Sequence, residues 1–223
     1  MYTGITKGLF QVIHVDKKPF LITYTVDLNE NLVHQLGVGD SVSVDGVCQT
    51  VVAREGHKVT FQAGKETLLK TTLCDLFEGR MVSIERSFRF GDENGGHELA
   101  GHIFETGTVV GEKSSGDKRD LSNLNLTIQC TPHCLKYIFE KGFIGVDGSS
   151  LTVGQVDREQ STFEVHLIPE TLRLTNFGNK QLGDRVNIEI DAKNVVIIES
   201  LERLIAPLER RIKSLEDAIH EKK

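Results

Sequence analysis

The chain is expected to be an all-β protein of two similar halves ending in a helix, and three observations carry that expectation. VSVDGVCQTVV (Val42 to Val52) returns as IGVDGSSLTVG (Ile144 to Gly154) at a constant shift, 148 − 46 = 102. Short β-branched runs punctuated by glycine and aspartate fill both copies, as strands separated by tight turns should. From Leu201 onward the apolar residues advance in alternating steps of four and three, the period of a helix.

The first half takes residues 1–93 and contains the runs GVGDSVSVDG, HKVTF and EGRMVSIE. GDENGG (Gly91 to Gly96) has the composition of a linker. The second half, 94–194, repeats the plan with STFEVHLI and LGDRVNIEI. A second block, ETLLKTTLCDLFEGRMVSIE (Glu66 to Glu85), matches ETLRLTNFGNKQLGDRVNIE (Glu170 to Glu189) at 170 − 66 = 104, so two blocks recur in one order. Helical spacing before the tail is confined to short pieces such as ENLVHQL and PHCLKYIFEK. The tail, 195–223, carries Leu201, Ile205, Leu208, Ile212, Leu215 and Ile219, a heptad seam with Ile at a and Leu at d. Pro207 lies off the seam and is placed in the first turn of the helix, where its missing N–H costs little. A two-row stripe is narrower than the face of a helix docked on its own domain, which favours helix-to-helix packing.

Composition excludes several classes. With 39% hydrophobic and 26% charged residues among 223, the chain has material for real cores. A net charge of -6 argues against a polyanion binder, and neither a nucleic-acid partner nor a membrane span is expected. An interaction module built on stacking is poorly supplied, since there is no Trp and only 6% aromatic residues. MYTGITKG lacks the layout of a signal peptide, and Cys48, Cys74, Cys130 and Cys134 are too few for a secreted disulfide framework, so free thiols in the cytoplasm are expected. CTPHC (Cys130 to Cys134) has three potential metal ligands, but its spacing fits no common zinc site and no second cluster completes one. No metal is expected.

The duplicated strand is where chemistry would sit. Alternation puts Cys48 and Thr50 on one face, and Ser150 and Thr152 on the matching face, with Leu151 and Val153 opposite as core. Such a face of small polar residues is ordinarily a barrel rim. The halves are nonetheless unequal: setting Gly101 of GGHELAGHIFETG against Gly4 of TGITKG puts His102 opposite Ile5, so the second half brings an imidazole where the first brings a thiol. His97, five residues earlier, is read as structural.

MYTGI, the pair DGVCQTV and DGSSLTV, GGHELAGH, KYIFEKGFIGVDG and HLIPETLRLTNFG together resemble the riboflavin synthase family, over nearly the whole chain. The family also has non-enzymatic relatives, lumazine proteins that hold the same heterocycle as an optical antenna, which is the alternative function. The resemblance implies two tandem six-stranded Greek-key β-barrels, a C-terminal helix and a homotrimer, although Ile at a with Leu at d by itself leans towards a parallel dimer. The implied reaction moves a four-carbon unit between two molecules of 6,7-dimethyl-8-ribityllumazine, giving riboflavin and a pyrimidinedione with no external cofactor. Lumazine synthase is the implied protein partner.

By the same resemblance one lumazine lies near Ser41, Cys48, Thr50, Gln62, Ala63, Gly64, Thr67 and His102. The other lies near Ser150, Thr152, Ile168 and Thr171, with Lys141, Asp147 and Asp191 as charged positions in support. The reaction needs a base for an acidic methyl and a weak nucleophile or relay, roles given to His102 and Cys48. Three positions depart from the pattern. Tyr2 stands for Phe and Gln49 for Leu, and Thr72 stands where the second half has Asn176. An amide buried at position 49 without partners would cost about 1 to 3 kcal/mol.

Overall fold

The computed structural model describes residues 1–89, 91–114 and 123–220. Six strands build the first barrel: β1 (Leu9–Lys18), β2 (Leu21–Asp27), β3 (Ser41–Val44), β4 (Val47–Glu55), β5 (Lys58–Gly64) and β6 (Met81–Arg86). Six more build the second: β7 (Glu105–Ser114), β8 (Leu124–Gln129), β9 (Phe143–Val146), β10 (Ser149–Asp157), β11 (Thr162–Leu167) and β12 (Arg185–Ile190). Both close in one order, β1-β2-β5-β4-β3-β6 and its equivalent β7-β8-β11-β10-β9-β12, with antiparallel neighbours throughout. Register slips recur at matching places, after Val51 in β4 and after Val153 in β10, where a bulge bends the sheet towards closure.

Alternation fills each interior. In β5 the residues Val59, Phe61 and Ala63 point inward and are fully buried, while Lys58, Gln62 and Gly64 are exposed. Tyr24, Phe61, Leu73, Leu76 and Ile84 form the bulk of the first core, and Leu126, Ile128, Ile144, Phe163 and Phe177 that of the second. The short helices α1 (Glu30–Val33) and α3 (Pro132–Leu135) occur where ENLVHQL and PHCLKYIFEK suggested helix. Two further single-turn helices, α2 (Lys65–Lys70) and α4 (Pro169–Leu174), come from the ETL blocks and were not foreseen.

The barrels meet at a polar seam around two hairpin turns. Asp45-Gly46 and Asp147-Gly148 all take positive φ, as a two-residue type I′ turn requires. A Cβ at Gly46 would stand 2.5 Å from the Gly148 nitrogen, and one at Gly148 would stand 2.7 Å from the Gly46 nitrogen, so only glycine lets the turns touch. Asp45 Oδ1 accepts from Ser83 N at 2.7 Å and Asp147 Oδ1 from Asn187 N at 2.7 Å. Across the seam Asn176 Nδ2 donates to Asp45 Oδ1, Asn187 Nδ2 donates to Thr72 Oγ1, and Thr72 N donates to Asn187 Oδ1. Thr72 and Asn176, at equivalent places in the two halves, both bond across the seam, Thr72 to Asn187 and Asn176 to Asp45. Arg80 and Lys180 neutralise the two aspartates, at 3.1 and 2.9 Å. Burial and then the facing Asp147 push the Asp45 carboxyl up to about 6, against the pull of Arg80, Lys180 and the Ser83 N–H.

The tail helix α5 runs Ala192–His220, with Asp191 Oδ1 accepting from Lys193 N at its start. Pro207 is therefore inside the helix and not in its first turn, because the apolar stretch upstream is already helical: Val195 and Ile198 pack on the second core. Beyond them α5 leaves the barrel, and Leu201, Ile205, Leu208, Ile212 and Leu215 are 46% to 60% exposed. The side chain of the last seam residue, Ile219, lies outside the described residues. No helix among the described residues is long and apolar enough to cross a membrane.

Candidate functional site

Two irregular arms, one before β1 and one before β7, bring the barrels' duplicated strands into a paired arrangement. They cross as a two-residue ladder, Tyr2 N to Leu99 O at 2.7 Å and Leu99 N to Tyr2 O at 3.0 Å. Equivalent glutamates hold them. Glu85 accepts from Thr3 N, Thr3 Oγ1 and Gly4 N, and Glu189 accepts from the Ala100, Gly101 and His102 N–H groups. Each arm then hands a glycine carbonyl to the other barrel: Ser150 N donates to Gly4 O at 2.9 Å and Cys48 N donates to Gly101 O at 2.8 Å. A Cβ at Gly4 would lie 2.5 Å from Ser150 Cβ, and one at Gly101 would lie 2.7 Å from Cys48 Cβ, so both positions need glycine for contact as well as for φ.

Burial pushes the Glu189 carboxyl up to about 7 despite its three N–H donors. A buried acid that holds its proton more tightly folded than unfolded favours the folded state at low pH. That stability is lost as pH climbs from about 4.3 through the folded value. The unfolding midpoint is accordingly expected to fall between about pH 5 and pH 7.5, with a shallower slope in Glu189→Gln. Thermal melts across that range check it, and identical slopes for the two proteins would contradict it.

Around the first duplicated strand the expected residues come together. Cys48 and Ser41 are half-buried and Thr50 is exposed, with Ser41 opposite Thr50 in the β3 and β4 pairing. Gln62, exposed, donates to Thr23 Oγ1, Gly64 caps α2, and Thr67 sits on α2. Ala63 is fully buried, so it offers the face only its backbone. In the second barrel Ser150 is half-buried, Thr152 exposed, Ile168 58% exposed ahead of α4, and Thr171 on α4. Lys141 occupies an exposed turn at positive φ, its N–H bonded to Val153 O, and Asp191 caps α5. Asp147 is not on this face: it is 1% exposed at the seam with its carboxylate committed to Asn187 and Lys180.

Neither histidine sits quite as the sequence suggests. His102 lies on the arm beside Cys48, but its imidazole is exposed. His97 is 7% exposed, and its Nδ1 is 2.6 Å from Ser150 Oγ while its N–H donates to the same oxygen. Its ring stacks on Phe143 with centroids 5.1 Å apart, and Nε2 is buried without a protein partner. Burial holds this imidazole below its ordinary value, so it is a neutral base at physiological pH. The signal that could have found it is GGH itself, since Gly96 allows the approach: a Cβ there would meet Thr3 O at 2.2 Å and Ser150 Cβ at 2.7 Å.

The two departures next to Cys48 are accounted for. Tyr2 Oη donates to Cys48 Sγ at 3.2 Å, and burial, then this bond, keep the phenol protonated. Gln49 is 4% exposed yet satisfied, accepting from Tyr24 Oη at 3.3 Å and donating to Cys48 O at 2.8 Å. Gln49→Leu is expected to cost about 1 to 3 kcal/mol by orphaning the Tyr24 hydroxyl, and Gln49→Leu with Tyr24→Phe to recover most of it. Chemical denaturation of the single and double variants checks this, and equal stabilities for the two would contradict it.

The lumazine binding domain family matches residues 3–87 and 100–191, one copy on each of the twin barrels, so the chain is a tandem lumazine-binding-domain protein. The riboflavin synthase of Escherichia coli is 43% identical over 94% of this chain and 95% of its own length. That of Chlamydia pneumoniae is 36% identical over 92% and 98%. The chain belongs to the riboflavin synthase family. In fold it is similar to LumP complexed with riboflavin, with a TM-score of 0.77, 22% identity, and coverage of 86% of this chain and 100% of LumP. LumP complexed with 6,7-dimethyl-8-(1'-D-ribityl) lumazine gives 0.74 at 23% identity, covering 85% and 98%.

Proposed function

We propose that the chain converts two molecules of 6,7-dimethyl-8-ribityllumazine into riboflavin and 5-amino-6-ribitylamino-pyrimidinedione, one molecule bound on each barrel. The observation that carries this reading is the inequality of the two half-sites. Cys48 faces the Tyr2 hydroxyl, whereas Ser150 faces the His97 imidazole. A dismutation needs identical molecules to behave differently, one giving up four carbons and one receiving them. Two frames that orient the ligand alike, with different groups beside it, meet that need, and holding both molecules in register removes much of the entropic cost of their meeting.

Roles follow from chemistry and placement. The neutral His97 is suited to pass a proton through Ser150, and the exposed His102 to exchange one with solvent near Cys48. Cys48, held by the Tyr2 donor, serves as the relay or transient nucleophile at the acceptor lumazine. Ser41, Thr50, Gln62 and Thr67 on one barrel, and Thr152 and Thr171 on the other, supply hydrogen bonds to ring and ribityl oxygens. Gly64 and Ile168 border the two faces, and Lys141 and Asp191 supply charge at the edge of the second.

The two faces are proposed to meet between subunits of a homotrimer assembled along the exposed seam of α5. Large apolar side chains left open beside the faces, Leu69 at 71% and Phe143 at 49%, support burial by ligand or neighbour. The cytoplasm is the proposed compartment, supported by four unpaired thiols. Lumazine synthase is a proposed partner on the family resemblance alone. Incubating the pure protein with the lumazine and following riboflavin absorbance tests the reaction. Stoichiometric binding without riboflavin would point instead to an antenna-like paralogue.

A further inference from the structure

Spacing alone left CTPHC without a further donor, but the fold supplies one. Cys130 follows β8 directly, Cys134 lies in α3 one turn later, and Glu105 is the first residue of the neighbouring strand β7. One ligating atom from each, two sulfurs and a carboxylate oxygen, lie within 4.8 Å of one another. Cys134 stands in hydrogen-bond contact with both the Cys130 sulfur and the Glu105 carboxylate, contacts that with burial raise its thiol well above the ordinary value.

We propose that Glu105, Cys130 and Cys134 form a binding site for a thiophilic divalent cation, zinc being the natural occupant, with the fourth position left to water. Tetrahedral zinc at about 2.3 Å from sulfur and 2.1 Å from oxygen sets its ligands roughly 3.6 to 3.8 Å apart, within the reach of this cluster. Each thiol yields its proton to solvent as its sulfur ligates the metal. The carboxylate is already aimed: Thr131 N and Thr131 Oγ1 donate to its two oxygens at 2.7 and 2.6 Å, leaving lone pairs on both. Cys134 is fully buried, but Cys130 is 9% exposed and Glu105 half-buried, which gives an ion its approach. His133, although adjacent, is packed against Phe104 and Tyr137 and is outside the cluster.

The site lies beside the seat of α5 on its own barrel and away from the lumazine faces. It braces α3 immediately before Lys136 and Tyr137, which receive α5: Lys136 Nζ is 3.3 Å from Glu199 and 3.0 Å from Glu202, Tyr137 bonds Glu199, and Asn194 Nδ2 donates to Tyr137 O. None of its ligands lies on the strands or arms that carry the lumazine faces.

The test is a cobalt titration of the reduced full-length protein, followed by competition with zinc. One equivalent of cobalt is expected to bind with thiolate-to-metal charge-transfer absorption, to be displaced by zinc, and to raise the unfolding temperature. Cys130→Ser and Cys134→Ser should abolish the absorption, Glu105→Gln should weaken binding by about 10-fold or more, and His133→Ala should leave it unchanged. Should the buried Cys134 variant fail to fold, Cys130→Ser and Glu105→Gln decide alone. Absence of the charge-transfer band in the wild type, its persistence in Cys130→Ser, or its loss in Cys48→Ser would overturn the proposal.

Discussion

Cys48→Ala is expected to lower turnover by about 100-fold, or 2.7 kcal/mol of transition-state stabilisation, while Ser150→Ala lowers it by about tenfold or less. The two residues hold equivalent places, each on the second residue of a strand that accepts an arm: Cys48 N bonds Gly101 O and Ser150 N bonds Gly4 O. A purely structural role would therefore give the two substitutions similar consequences. The thiol is the only one of the pair with nucleophilic capacity of its own, and Tyr2 addresses it directly at 3.2 Å. Ser150→Ala removes the His97 contact but leaves the imidazole stacked on Phe143, with a base still near the second ligand. Lumazine affinity should stay within about tenfold in both variants, since each loses one small group from a face of several. Steady-state rates beside equilibrium binding check the claim, and equal kinetic penalties would remove Cys48 from its assigned role.

Deleting residues 200–223 is expected to give monomers that bind lumazine on each barrel and make almost no riboflavin, a loss of at least about 100-fold at low protein concentration. The deletion spares Val195 and Ile198, which pack on the second barrel, and removes the exposed Leu201, Ile205, Leu208, Ile212 and Leu215. Barrel stability should thus change little. An exposed apolar row of this length on a helix is stable in water only when a partner helix covers it. Pro207 interrupts one backbone hydrogen bond within the row, so packing against neighbours must carry that part of the helix. Size-exclusion chromatography with light scattering beside the absorbance assay measures both effects. A truncated monomer with full turnover would show that one chain completes its own site.

What could be read from the chain follows the reach of each physical signal. The duplication, the strand runs and the polar faces were legible because alternation and β-turn chemistry act between near neighbours: Asp45-Gly46 and Asp147-Gly148 announce their hairpins in two letters. The pairing of Cys48 with Gly101 and of Ser150 with Gly4 was not, since a backbone carbonyl carries no residue-specific mark. His97 was passed over because its value lies in a contact 53 residues away with Ser150. Glu85 and Glu189 carry no mark in the sequence beyond a charge near the end of a repeated strand run, and their burial against the arms appears only in three dimensions. Asp147 was drawn into the ligand face by resemblance, whereas its turn geometry buries it in the seam. Pro207 fits a first turn by the general preference of proline for helix starts, whereas the helix begins at Ala192 and Val195 and Ile198 already turn inward upstream of it.

The shared-site account is tested most directly by pairing two variants that each block one barrel. Thr50 and Thr152 are exposed at equivalent places on the two faces, so Thr50→Arg and Thr152→Arg should fold and should obstruct the first and second lumazine respectively. Each protein alone should be inactive. When the two are mixed, dissociated and reassembled, random trimers place an unblocked first barrel beside an unblocked second barrel at about a quarter of their interfaces, and riboflavin formation should return to about that fraction of the wild-type rate. A mixture as inactive as its components would contradict a site made between subunits.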